Sequence, residues 1–177
     1  LTAVADEEFA SIGVQDIVRR LTADAAIVAE PFGLDLCVAH KGFVWLEVET
    51  RGVAAHGSLP NAGVDAIAKM GRVLVELEAL DRELRSGPGH PLLGTGSVHA
   101  SLIQGGQELS TYPQQCILSI ERRTIPGETV DKALKELGDA CAAVRARDSR
   151  FSASFEIAND DYLVQAAARP THIWIVP

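Results

Sequence analysis

The order of hydrophobic patterns along this chain predicts an α+β fold: a four-stranded antiparallel sheet with two helices on one face, the ferredoxin-like βαββαβ arrangement, preceded by a fragment of an α/β layer. Three observations predict it. From residue 40 to residue 157, segments of period two and period 3.6 follow one another as strand, helix, strand, strand, helix, strand. Clusters of Gly and Pro punctuate them. Before residue 40 the rhythm is instead strand, helix, strand, as in a parallel layer.

Taken in order, Leu1 to Val4 is a short apolar run ending at Asp6-Glu7-Glu8 and reads as a buried strand. A short helix follows Gly13, with Val14, Ile17, Val18 and Leu21 at helical spacing. Ala25 to Ala29 is a second apolar run, closed by Glu30-Pro31. Pro31, Gly33 and the irregular stretch to His40 mark a boundary, giving a first domain over 1–39 and a second over 40–157. In the second, Val44, Leu46 and Val48 alternate with Trp45, Glu47 and Glu49, the signature of a half-buried strand. Val64, Ile67, Gly71, Leu74 and Leu77 predict the buried stripe of a helix opened by Pro60-Asn61. After a loop over 86–96 come strands near 97–103 and 116–123, joined through Gly105-Gly106 as a hairpin. Pro126-Gly127 then opens a helix carrying Val130, Ala133, Leu134, Leu137, Ala140, Cys141 and Val144 on one side. Phe151, Ala153, Phe155 and Ile157 alternate as a last strand. The tail over 158–177 has apolar content and no evident partner.

Composition narrows the function. A net charge of −8 repels a phosphate backbone, and the nearest basic stretch, Arg145 to Arg150, is broken by Asp148, so nucleic acid is not an expected partner. No window approaches the ~20 apolar residues of a membrane span, so no membrane partner is expected. Cys37, Cys116 and Cys141 lack the close spacing of a zinc site and read as buried thiols of a cytoplasmic protein.

Several residues stand out chemically. Three acids directly after a buried strand are costly to crowd unless a cation offsets them, so Asp6-Glu7-Glu8 reads either as metal-facing or as an exposed acidic turn. Glu30 would sit at a neighbouring strand end, where functional groups of an open parallel sheet collect. His56, in the small-residue loop Ala54-Ala55-His56-Gly57-Ser58, is placed to donate a hydrogen bond to a developing oxyanion, or is a plain surface histidine. Arg122 and Arg123 could clamp a carboxylate, or pair with Glu121 or with the helix after Pro126.

The order of these pieces carries a resemblance. Ala5 to Gly13, Ala29-Glu30-Pro31, His40-Lys41-Gly42, Gly52 to Pro60, Gly105-Gly106, and Arg122-Arg123 with Pro126-Gly127-Glu128 together resemble the zinc metallopeptidase family of acetylornithine deacetylase, succinyl-diaminopimelate desuccinylase, aminoacylase and glutamate carboxypeptidase. The resemblance implies that residues 1–39 belong to a catalytic α/β domain holding two zinc ions, and that 40–157 is an inserted lid making a homodimer. It implies Glu7 as general base, Glu8 and Glu30 as metal ligands, His56 as the lid histidine reaching the partner subunit's site, and Arg123 at the substrate carboxylate. The implied substrate is an N-acyl amino acid or small peptide. Two departures are visible: no histidine here is followed by X-Asp, and Ser110 stands where the family has asparagine after its Gly-Gly pair. The chain alone is therefore expected to be inactive. The alternatives are a non-catalytic small-molecule regulatory or dimerisation module, which has no need of Glu7, Glu8 and Glu30, and an RNA-binding sheet, disfavoured by 5% aromatics and the negative charge.

Overall fold

The structure is a computed structural model, and it describes residues 1–5, 12–24, 27–28, 36–158 and 174–175. The chain divides into two compact units, one of residues 1–40 with 168–177, the other of residues 41–167.

In the first unit, the helix after Gly13 is present as α1 (Ile12–Arg20), with an exposed Asp16–Arg20 pair one turn apart. Strand β1 (Leu36–Cys37) pairs antiparallel with β6 (Trp174–Ile175), so the tail does find a strand partner. Leu1 to Val4, expected as a buried strand, is exposed and unpaired among the described residues. An apolar run becomes a strand only where a neighbour takes up its backbone hydrogen bonds, and none is described beside it. No parallel strand pair occurs among the described residues of this unit. Most of the Ala25 to Ala29 run lies outside the described residues.

The second unit is the expected ferredoxin-like domain. Its strands are β2 (Gly42–Arg51), β3 (Ser97–Gly105), β4 (Gln115–Thr124) and β5 (Ser152–Ile157), all antiparallel, in the spatial order β3-β4-β2-β5. Helices α2 (Ala66–Ser86) and α3 (Val130–Arg147) cover one face. Strict alternation in β2 buries Val44, Leu46, Val48 and Thr50 under the helices. They meet Leu118 and Ile120 of β4, Met70 and Val73 of α2, and Leu137 and Val144 of α3 in one core. Trp45, Glu47 and Glu49 occupy the opposite, uncovered face.

Helix α2 departs from expectation in start and phase. It begins at Ala66, where the Asp65 carboxylate accepts from the Ala68 N–H at 2.9 Å, and not at Pro60-Asn61. Its buried stripe is Ala66, Met70, Val73 and Leu77, whereas Ile67 and Gly71 are exposed. The stripe also contains Lys69, whose ammonium is satisfied by Asp148 at 2.5 Å at the end of α3. The buried stripe is thus one position off the expected one, and it accommodates this long-range ion pair.

Helix α3 is capped by the Thr129 hydroxyl, which accepts from Lys132 N–H at 3.2 Å. The turn before it has Gly127 at φ +93°, a conformation open to glycine.

Candidate functional site

The loop after β2 carries His56 and is held by the segment leading into β4. Val53 and Val64 bridge antiparallel at its base. Above them Gly52 N–H donates to Gln114 O (2.8 Å), Tyr112 N–H to Ala55 O (2.8 Å) and Gly57 N–H to Ser110 O (2.7 Å), so His56 lies across from Thr111. Gly63 packs so closely on the Tyr112 ring that a Cβ there would lie 2.6 Å from it. The loop is thus a short braced ribbon rather than a loose excursion. Leu59 and Leu109 stand exposed at its tip.

His56 itself is exposed. Its Nδ1 accepts from Ser58 N–H at 3.2 Å and lies 2.8 Å from Ser58 Oγ. Its carbonyl accepts from Leu59 N–H at 2.8 Å. Nε2 enters no hydrogen bond among the described residues. Across the ribbon, the Glu108 carboxylate accepts from the hydroxyls of Ser110 (3.4 Å) and Thr111. Ser58, Glu108 and Thr111 were not singled out from sequence. The spacing His-X-Ser was a usable signal for Ser58, because a side chain two residues on can fold back in a tight turn.

The two arginines take different parts. Arg122 points into the core side of the sheet, 1% exposed, with Nε 2.8 Å from Glu136 and Nη2 2.8 Å from Glu128. It clamps α3 and the turn before it, not a substrate. Arg123 lies on the uncovered face, stacked over the Phe43 ring at 5.4 Å, with one contact to Glu121 at 3.2 Å. Glu121 also accepts from Trp45 Nε1 (3.4 Å) and faces His99 Nε2 at 3.7 Å. The remaining guanidinium nitrogens of Arg123 are partly open to solvent.

His56 and Arg123 are not brought together within the unit. The β2–β4 register runs from Phe43 opposite Arg123 to Arg51 opposite Gln115, and His56 lies beyond the second end. That separates them by at least roughly 26 Å of strand. Glu7, Glu8 and Glu30 lie outside the described residues. No three His, Cys, Asp or Glu side chains among the described residues are grouped to hold a metal ion. The free thiols of Cys116 and Cys141 are buried, and burial raises both above the usual thiol range. A groove of about 710 Å³ between α2 and α3 is lined by Glu76, Glu83, Glu128, Glu136 and Asp139, and no residue of the His56 ribbon reaches it. No helix among the described residues is long and apolar enough to cross a membrane.

Comparison with known proteins gives a consistent result. Residues 38–149 match the family model described as the peptidase dimerisation domain. Acetylornithine deacetylase of Myxococcus xanthus is 31% identical over 171 residues, 93% of this chain and 44% of that protein. Acetylornithine deacetylase of Erwinia tasmaniensis is 31% identical over 83% of this chain and 39% of its own length. The chain therefore spans less than half of these relatives. Among solved structures, a hydantoinase/carbamoylase family amidase from Burkholderia ambifaria superposes with a TM-score of 0.62 at 20% identity, over 83% of this chain and 36% of that one. An aminopeptidase from Bacillus cereus gives 0.62 at 16% identity, over 87% and 40%. At such identities these two structures speak for the fold alone.

Proposed function

The chain belongs to the peptidase dimerisation domain family, and from that premise we propose that it is the dimerising lid of a cytoplasmic amidohydrolase that cleaves the amide of an N-acyl amino acid or small peptide. The observation that carries this reading is His56: a polar ring held on a braced, exposed ribbon, with Nδ1 engaged by Ser58 and Nε2 in no hydrogen bond among the described residues. A donor so placed suits the oxyanion of a tetrahedral intermediate in a neighbouring catalytic domain. The acetylornithine deacetylases that it resembles point to an acylated amino acid as substrate. Arg123, backed by Phe43 and tethered by Glu121 through one nitrogen, is suited to the substrate carboxylate.

In this reading Glu7 is the general base and Glu8 and Glu30 are ligands of a zinc pair. Zinc, when bound, would polarise the amide carbonyl and lower the pKa of its water. The part of the lid unit in this reading is to supply His56 and Arg123, exclude water and join two subunits. The chain by itself should not turn over substrate. In the assembled enzyme, His56→Ala should lower kcat on N-acyl amino acids by about 10² to 10³, as loss of an oxyanion donor does, with KM little changed. Wild-type turnover by that variant would leave a non-catalytic dimerisation module as the better reading.

A further inference from the structure

We infer that Ser58 is the positioning residue that fixes His56 as a donor, by holding the proton of the neutral imidazole on Nε2; this rests on the proposed role of His56. The geometry leads there in three steps. A backbone N–H can only donate, and that of Ser58 points at His56 Nδ1 from 3.2 Å, so Nδ1 presents its lone pair and the ring proton belongs to Nε2. The Ser58 hydroxyl lies 2.8 Å from the same nitrogen. A hydroxyl both donates and accepts, so it adds a second donor to the neutral ring and would take the Nδ1 proton of a charged one without moving the ring. Finally, the backbone that carries the ring is tied down on both sides, so the contacts to Nδ1 set the ring's direction: His56 O accepts from Leu59 N–H at 2.8 Å, and Gly57 N–H donates to Ser110 O at 2.7 Å. The only ring nitrogen left to face a ligand is then a proton donor.

This is a different arrangement from a histidine oriented by a carboxylate. The Glu108 carboxylate of the same ribbon is occupied by the hydroxyls of Ser110 and Thr111, and it makes no hydrogen bond to the ring. The partner of Nδ1 is neutral, so it orders the ring without adding a negative charge that would oppose an oxyanion nearby.

The test joins a spectrum to kinetics. In the ¹⁵N-labelled chain above neutral pH, His56 Nδ1 should resonate as an unprotonated ring nitrogen and Nε2 as a proton-bearing one. Ser58→Ala, which keeps the backbone N–H and removes only the hydroxyl, should move both signals part of the way toward the average of the two tautomers, and Ser58→Thr, which keeps both donors, should leave them in place. In the assembled enzyme Ser58→Ala should lower kcat at unchanged KM, by less than His56→Ala does, with Ser58→Thr recovering most of it. A proton on Nδ1 in the unaltered chain, or signals and kcat indifferent to Ser58→Ala while His56→Ala abolishes turnover, would overturn the assignment. If His56→Ala itself keeps full activity while the spectrum responds to Ser58→Ala as described, the functional reading of His56 fails and the tautomer assignment stands.

Discussion

At the scale of single residues, two neighbouring arginines show how position on a pleat decides between structure and function. Arg122 and Arg123 are chemically identical, yet one faces the helices and the other the uncovered side of the sheet. Burying Arg122 required two carboxylates, and the cost of breaking that set falls on Glu128. Burial works to raise the Glu128 carboxyl, but hydrogen bonds from Arg122, Lys132 and the Ile125 N–H overcome it and hold the group at about 2. Unfolded, the same group would titrate near ~4.3. Because the folded value is the lower one, the pairing stabilises the domain fully above the unfolded pKa and is lost as pH falls toward about 2. Glu128→Gln should therefore cost about 3 kcal/mol at neutral pH, and urea titrations at stepwise lower pH should show wild type and variant converging. A gap that stays constant down to the acid limit would mean that the ionised form of Glu128 is not what stabilises the domain.

At the scale of elements, the tie between α2 and α3 carries an expected outcome of its own. Lys69, 6% exposed, depends on Asp148, whose carboxyl is held below its usual range, first by the Lys69 hydrogen bond and further by the Arg150 N–H and the charges of Lys69 and Arg72. Asp148→Asn should leave an ammonium buried without its counter-charge and lower Tm clearly more than Asp139→Asn, which removes an exposed partner of Lys135 in the same helix. Equal shifts would show that Lys69 reaches water without Asp148. This pair also explains what the sequence could and could not convey. The alternation Val44, Leu46, Val48 left one register for β2, and the strand lies there. Helix α2 has apolar residues around a wide arc, so Ile67, Gly71 and Leu74 formed as good a stripe as Ala66, Met70 and Val73. The choice between them rests on what the helix packs against, and the observed phase also lets Lys69 meet a residue 79 positions away, which no local pattern contains. The His56 loop was legible as an exposed loop of small residues, but its bracing by Ser110, Tyr112 and Gln114 is again long-range. Arg123 was legible only as one of two candidates, and sheet geometry separated them.

At the scale of the whole molecule, the distance between His56 and Arg123 is the decisive quantity. A small N-acyl amino acid cannot bridge roughly 26 Å, so if both residues serve one substrate they must come from different subunits. The sheet has two edges. Strand β5 presents Ser152, Ser154 and Glu156, with Phe155 its one exposed large apolar residue, whereas β3 is exposed over most of its length, with Leu102 and Ile103 outward and Ile67 and Val75 of the adjacent α2 also exposed. The β3 edge is therefore the one that a second copy is expected to cover. A two-fold axis there would run the two β3 strands antiparallel. Within one subunit Ser97, at the start of β3, lies beside Arg123, and Gly105, at its end, lies beside Cys116 near the His56 ribbon. Reversing one copy then sets His56 of each subunit at the end of the joint sheet where the partner's Arg123 lies. Mixing provides the check. His56→Ala and Arg123→Ala enzymes, each nearly inactive, should regain up to about one quarter of wild-type activity when unfolded and refolded together, because half of the mixed dimers' sites are intact. Ile103→Lys in both should block this recovery by opposing edge pairing. Two sites each built within one subunit would give no recovery at any mixing ratio, since every subunit would then carry its own defect.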